Sequence, residues 1–436
     1  SKKINKEQKK KAKVKQCLLS ENDNKKKKKM AYQISDKAKA IHERLEVFME
    51  QHIYPREKDF DEFTSNQENL WKYPDWYQGL KDEAKKQELW NLFLPKEYAP
   101  WSPGLTNVEI AVLFETMSRS AWAQQVFNCN APDRGNMEVL AKYGTPEQQK
   151  EWLDPLLDGE IRSAYAMTEP DVASSDATNM ELEIKRDGDE YVLNGRKWWT
   201  TNVINPHCKI MLVMGKSNPG NSRHTQHSTI LVPTDTPGVE IVRSLRVFGE
   251  IHSPGGEGDV VFKNVRVPVT NLILGEGRGF EIAQGRLGPG RFQYAMMFVG
   301  MAQRALELMC ERAQSRVAFG EALSKKTSVQ HEIARSRCDI EQCRLLVLSA
   351  AEKMDKYGID NVRGGSYSKM KLTSIQKAAA TAASFLSRGF EPVRAARPTG
   401  SSTSDPLRAR RADRQRLGSP TRERVRPSSR PTLTCW

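Results

Sequence analysis

The sequence predicts an α+β chain of three domains. Three observations carry that reading: helical apolar spacing over residues 35–155, short strand-like runs over 160–270, and helical spacing again over 278–387. Strands and helices do not alternate one by one, which argues against a doubly wound parallel sheet.

In the first block Ile41, Leu45, Phe48, Met49 and His52-Ile53 recur along one helix face, and Ser35 precedes them as an N-cap. Val108, Ala111, Val112, Phe114 and Glu115 open another apolar helix, with Pro95, Pro100 and Pro103 marking the loop between. In the second block Tyr191-Val192-Leu193, Ile210–Met214, Thr229–Val232 and Val260–Phe262 have strand length and composition, separated by Gly, Pro, Asn and Asp turns. In the third, Met296–Arg312 and Gln330–Lys356 read as long helices. Gly275, Gly277 and Gly279 lack the strand–turn–helix setting and acidic partner of a dinucleotide fingerprint, so a nicotinamide site is not expected.

A chain of 436 residues has ample length for real cores. Its seven cysteines are scattered, with no Cys-x-x-Cys pair and no His/Cys cluster at zinc spacing. Cys338 and Cys343, five apart on a helix, are expected as buried thiols. This usage fits a reducing, intracellular setting. No run of about 18 apolar residues suggests a membrane span, and the N-terminus has no apolar signal region.

The net charge of +14 is unevenly placed. Residues 1–29 hold 13 Lys against 3 acids, and residues 388–436 hold 12 Arg against 4 acids, leaving about −4 for 30–387. The leader 1–29 ends in five lysines before Met30, which reads as the natural start. The tail 388–436 turns abruptly Arg-, Pro- and Ser-rich, a composition that buries too little apolar area to order itself and suggests a reading-frame or splice change.

Two segments carry the chemistry. Tyr165 to Asp176 reads Tyr-Ala-Met-Thr-Glu-Pro-Asp-Val-Ala-Ser-Ser-Asp, a loop leaving a strand, rich in hydroxyls and with Pro170 holding Glu169 extended. Asn194 to Asn202 reads Asn-Gly-Arg-Lys-Trp-Trp-Thr-Thr-Asn; in a strand Trp198 and Trp199 point to opposite faces, one toward a ligand and the other into the core. Hydroxyls and free amides beside large aromatics suit a flat, polar-edged cofactor such as a flavin. Taken singly, each segment is better explained by a tight turn or a buried tryptophan in an ordinary β-domain.

Together the segments resemble the acyl-CoA dehydrogenase family. The resemblance continues in order through the hairpin Asp189–Lys197, the strand Phe262–Pro268, Gly275–Phe280 at the start of a helical domain, Arg316-Val317-Ala318-Phe319-Gly320, and Val329-Gln330. It covers about Ser35 to Leu386; the Leu287–Arg291 run and the Ala173–Asp176 spelling point to a subfamily often fused to a kinase-like domain. It implies an N-terminal α-helical domain (30–159), a middle β-barrel domain (160–276) and a C-terminal α-helical bundle, incomplete here (277–387). The implied activity is FAD-dependent α,β-dehydrogenation of a fatty acyl-CoA in β-oxidation, with electron-transfer flavoprotein as acceptor and a homodimer or tetramer as the assembly.

The resemblance also assigns residues. Met167 and Thr168 serve the flavin pyrimidine edge, Thr201 the N5 side, and Trp199 shields a flavin face. Ser175 contacts the pyrophosphate or the CoA. The loop is one residue longer than usual, so Ser174 can take that place. Arg291 lies near the CoA, its ordinary alternative being a surface salt bridge. Arg316, Phe319 and Gln330 touch the FAD of a neighbouring subunit, their alternative being a capped helix end with a core Phe. No catalytic base is assigned: the family's usual Glu falls beyond Leu386, the alternative position is Gly290, and Glu391 and Glu423 lie in no matching motif.

The chain thus reads as a dehydrogenase of doubtful activity. The alternatives are a non-catalytic acyl-CoA or flavin binder and a basic-tailed polyanion-binding protein; an acyl-CoA oxidase matches less well. The tails lack the interleaved aromatics of specific nucleic-acid readout. Heparin chromatography tests the charge partition: residues 30–387 alone lose the salt-sensitive retention of the full chain, and retention by the trimmed body reveals a basic face on the body.

Overall fold

The computed structural model describes residues 32–358 apart from Ser175 and Phe248. The expected contact Ser175, the leader and the tail, with Glu391 and Glu423, lie outside the described residues.

Helix α1 (Asp36–Phe48) starts at Ser35, whose Oγ accepts from the Ala38 amide at 3.2 Å, and it buries Ala38, Ile41, Leu45 and Phe48. Helices α2 (Glu57–Ser65), α3 (Tyr77–Lys86), α4 (Asn107–Met117) and α5 (Asp133–Tyr143) follow. A capping box between Thr106 and Glu109 starts α4, which is buried on almost every side and forms the centre of the helical core.

Two long helices pack against α4: α6 (Gly279–Ser315) and α7 (Thr327–Tyr357). The Asp355 carboxylate of α7 accepts from the Asn107 and Val108 amides at 2.7 and 3.1 Å, supplying an anion at the positive end of α4. Arg344 of α7 makes a two-pronged pair with Glu115 of α4 at 2.7 and 2.8 Å. The first and third sequence blocks therefore share one core.

Between them lies the middle domain. Its strands are β1 (Arg162–Ala166), β2 (Glu183–Asp187), β3 (Glu190–Thr201), β4 (Cys208–Lys216), β5 (His227–Pro233), β6 (Val239–Leu245) and β7 (Glu257–Pro268). The order is β1-β4-β2-β3-β7-β6, with β5 also paired to β4; β1 and β4 run parallel. Ala164, Leu193, Met211, Val213, Ile230, Val260 and Phe262 fill its own apolar core.

Two expectations are corrected. Cys338 and Cys343 both lie on α7, but only Cys343 is buried; Cys338 is exposed. Five residues turn a helix through about 500°, so the two thiols face different sides. Trp198 and Trp199 do not alternate across β3. A bulge between Lys197 and Thr200 breaks the register with β7, Trp199 takes φ +51°, and the two indoles touch with centroids 5.7 Å apart. Neither ring enters the core: Trp198 is half-buried and Trp199 is 40% exposed.

No helix among the described residues is long and apolar enough to cross a membrane.

Candidate active-site cleft

The bulge that corrects the tryptophans also builds the site. Trp199, within the bulge, and Thr201, just beyond it, line a cleft of about 250 Å³. Strand β1 and its outgoing loop add Tyr165, Met167 and Thr168, the segment before α5 adds Ala131 and Pro132, and α6 adds Arg286 and Tyr294. Met167 and Thr168 on one segment and Trp199 and Thr201 on the other, far apart in sequence, are thus brought to one cleft.

The Thr168 hydroxyl donates to the Trp198 carbonyl at 2.8 Å, and the Trp198 amide donates back to the Thr168 carbonyl at 3.0 Å. Toward a ligand that hydroxyl therefore has only lone pairs to offer. Thr201 is exposed on the cleft wall.

The helical side of the cleft is cationic. Arg286 donates to Asn136 Oδ1 at 3.0 Å and lies 4.1 Å above the Tyr165 ring. Arg134 is 2% exposed and sits between Phe114 and Tyr294, at 5.2 and 4.5 Å from the ring centres. Behind this wall Glu138 accepts from Gln293 Nε2 at 3.5 Å. Burial pushes its carboxyl up to about 7, against the pull of Arg134 and Arg286. Among the described residues, no carboxylate lines the cleft, and no group of His, Cys, Asp and Glu is placed to hold a metal.

Asp133 joins the two sides. It is fully buried, and its Oδ1 accepts from the Ser163 amide at 2.7 Å and the Ser163 hydroxyl at 2.8 Å. Arg162 lies 3.4 Å from its Oδ2.

The other expected residues fall elsewhere. Ser174 is buried and turned into its own loop, accepting from the Glu169 amide at 2.7 Å, so it does not line the cleft. Gly290 lies one helical turn from both Arg286 and Tyr294, on the face of α6 that meets the cleft, and a Cβ placed there meets nothing within 4 Å. Arg291 is half-buried, a quarter-turn away around the helix. Arg316, Phe319 and Gln330 gather at the turn between α6 and α7, where β8 (Val317–Ala318) and β9 (Glu321–Ala322) form a small hairpin. All three are exposed, Phe319 at 97%, which rules out the core-Phe alternative. The Gln330 amide donates to the Ser324 carbonyl at 2.9 Å.

Sequence reasoning missed Tyr165, Arg286, Tyr294, Lys197 and Asp133. The face of Gly290, read four residues each way, would have found Arg286 and Tyr294. Asp133 carries no local signal for this role, because Ser163 and Arg162, which it ties to α5, lie about 30 residues away.

Comparison with known proteins follows this geometry. Family models match all three blocks: Acyl-CoA dehydrogenase, N-terminal domain over 35–160, middle domain over 164–265 and C-terminal domain over 277–386. The chain is 48% identical over 339 residues to the probable acyl-CoA dehydrogenase FadE2 of Mycobacterium tuberculosis, covering 77% of this chain and 81% of that one. It is 52% identical over 331 residues to acyl-CoA dehydrogenase family member 11 of Gallus gallus, covering 74% of this chain and 42% of that protein. A solved structure of a putative acyl-CoA dehydrogenase from Mycobacterium abscessus superposes with TM-score 0.74 at 44% identity, over 81% of this chain and 88% of that one. The chain belongs to the acyl-CoA dehydrogenase family. It spans 31% of the length of the mouse family member 10 and 42% of the chicken family member 11.

The Glu138 environment gives a pH prediction. Its folded carboxyl sits near 7, above the ordinary 4.5, so between these values the folded chain holds a proton that the unfolded chain has lost. Stability falls as pH rises through that window. Against Glu138→Gln, the wild-type thermal midpoint drops between pH 4.5 and 7; parallel curves show that Glu138 is ionised throughout.

Proposed function

We propose that the cleft binds the isoalloxazine of FAD together with the acyl group of an acyl-CoA thioester, for α,β-dehydrogenation of the acyl chain. The observation that carries the reading is the convergence of Met167, Thr168, Trp199 and Thr201 on one cleft. Their chemistry fits a flavin: hydroxyls at Thr168 and Thr201, and indole and phenol faces at Trp199 and Tyr294, 40% and 42% exposed. When bound, FAD supplies acceptance of the β-hydride. A solved family-fold neighbour, the glutaryl-CoA dehydrogenase of Mycobacterium smegmatis, was determined in complex with FADH2.

The chain's own residues bind and orient. Thr168 accepts from a ring N–H, Thr201 bonds the opposite side, and Trp199 covers a face. Arg291 and Ser175 serve the CoA portion. Proton abstraction α to a thioester needs a positioned base. The cleft lining offers no carboxylate and position 290 is glycine, so no base is assigned among the described residues. The same absence favours a second reading, a cleft that binds flavin and acyl-CoA without turnover.

Phe319, almost fully exposed at a hairpin tip beside Arg316 and Gln330, is the kind of surface a second subunit's FAD would cover, which supports a homodimer or tetramer. Electron-transfer flavoprotein as acceptor, an intracellular setting, and domains bounded at 30–159, 160–276 and 277–387 complete the reading.

Titration of FAD, followed by its fluorescence, tests the placement. Thr201→Val weakens binding about fivefold, the worth of roughly one net hydrogen bond of 1 kcal/mol. Thr168→Val weakens it too and lowers the thermal midpoint, since it also removes the bond to Trp198. Unchanged affinity in both variants refutes the placement. Turnover with acyl-CoA and an artificial acceptor supports the dehydrogenase; flavin and acyl-CoA binding without turnover supports the second reading.

A further inference from the structure

Lys197 does not line the cleft, yet its side chain is wholly buried directly behind the segment that does. Its Nζ donates to the Met167 carbonyl and to Glu169 Oε1, both at 2.8 Å. The Glu169 carboxylate also accepts from the Glu181 and Leu182 amides at 2.7 and 2.9 Å. Burial pulls the Lys197 ammonium down to about 8, with Glu169 pulling it back up. Nearby His227 is fully buried with both ring nitrogens unpartnered, and burial lowers it to about 4, so it stays neutral and adds no charge to the pair.

As a source of stability this arrangement is poor. Desolvating a buried ion pair costs about what the pair returns, and well-packed apolar replacements are often no less stable. What the ammonium does supply is direction. It holds a carboxylate and a backbone carbonyl at fixed points. A trans peptide carries its C=O and N–H on opposite sides. Holding the Met167 carbonyl on Lys197 therefore turns the Thr168 N–H away from Lys197. No hydrogen bond from that N–H is present among the described residues. Met167 and Thr168 line the cleft and Lys197 does not, so the amide is left as an oriented donor for a ligand acceptor.

We propose that Lys197 is the positioning residue of the cofactor-edge loop: by pinning the Met167 carbonyl, with Glu169 as its counter-ion, it aims the Thr168 amide at a carbonyl oxygen of the bound flavin ring. The proposal rests on the flavin reading above.

The test compares three full-length proteins: wild type, Glu169→Gln, and Glu169→Gln with Lys197→Met. The single variant keeps the donor to Met167; the double variant removes both charges together and leaves no lone buried ion. FAD affinity, the midpoint potential of the bound flavin and the thermal midpoint are measured for each. Glu169→Gln keeps the Lys197 donor to Met167 and is the reference against which the double variant is read. Relative to the single variant, the double variant loses about tenfold in FAD affinity and shifts the potential, although it has the higher thermal midpoint because no lone buried charge remains. Equal affinity and potential in the single and double variants overturn the proposal. Should the double variant fail to fold, hydrogen exchange at the Thr168 amide of the wild type decides: exchange slowed by FAD supports the proposal, and exchange indifferent to bound FAD overturns it while leaving the flavin reading intact. No binding of FAD by the wild type overturns both.

Discussion

The cleft exists because one buried carboxylate holds two differently built domains together. Asp133 opens α5, where an anion meets the positive end of the helix. The same carboxylate receives the amide and hydroxyl of Ser163 on β1 and faces Arg162. The side-chain amide of Asn202, just past the end of β3, donates to the Ser163 carbonyl at 3.0 Å. Helix, first strand and the end of the bulged strand are therefore tied at one point. Ala131 and Pro132 precede that point and Thr201 adjoins it, so opposing cleft walls are set by the same contacts. Removing one partner of such a pair leaves an uncompensated buried charge, at a cost of about 3–5 kcal/mol.

From that tie the two walls acquire opposite characters. The sheet side is neutral and hydrogen-bonding, shaped by a bulge that places Trp199 at a backbone angle non-glycine residues rarely adopt. Such outliers persist where the surroundings enforce them, often at binding sites. The helical side holds the buried guanidinium of Arg134 and the half-buried one of Arg286, each against a tyrosine ring, with Glu138 behind them poised near neutrality. Arg286 lies against the Tyr165 ring and Arg134 against the Tyr294 ring, so each tyrosine lining the cleft has a cationic partner.

Much of this was legible in the sequence, for identifiable reasons. The α1 face and its Ser35 cap obey local rules, and the structure reproduces both. The four cleft residues on the Tyr165–Asp176 and Asn194–Asn202 segments were found because their chemistry is written locally and their order matches a family. The Trp198–Trp199 expectation failed because alternation assumes an unbroken ladder, and a bulge inserts a residue that strand spacing does not reveal. Strand β6 was missed because it is an edge strand, largely exposed on both faces, without a buried alternation to read. Lys197, Asp133 and Arg286 were missed because their partners lie about 30 to 150 residues away. A buried ionic residue looks in sequence like any surface charge.

The most direct measurement is an experimental structure of the protein loaded with FAD. The account predicts the isoalloxazine ring against Trp199, its pyrimidine edge at Met167 and Thr168, and Thr201 on the opposite side. A ring bound elsewhere, or a cleft that stays closed to the flavin at saturating FAD, would contradict it.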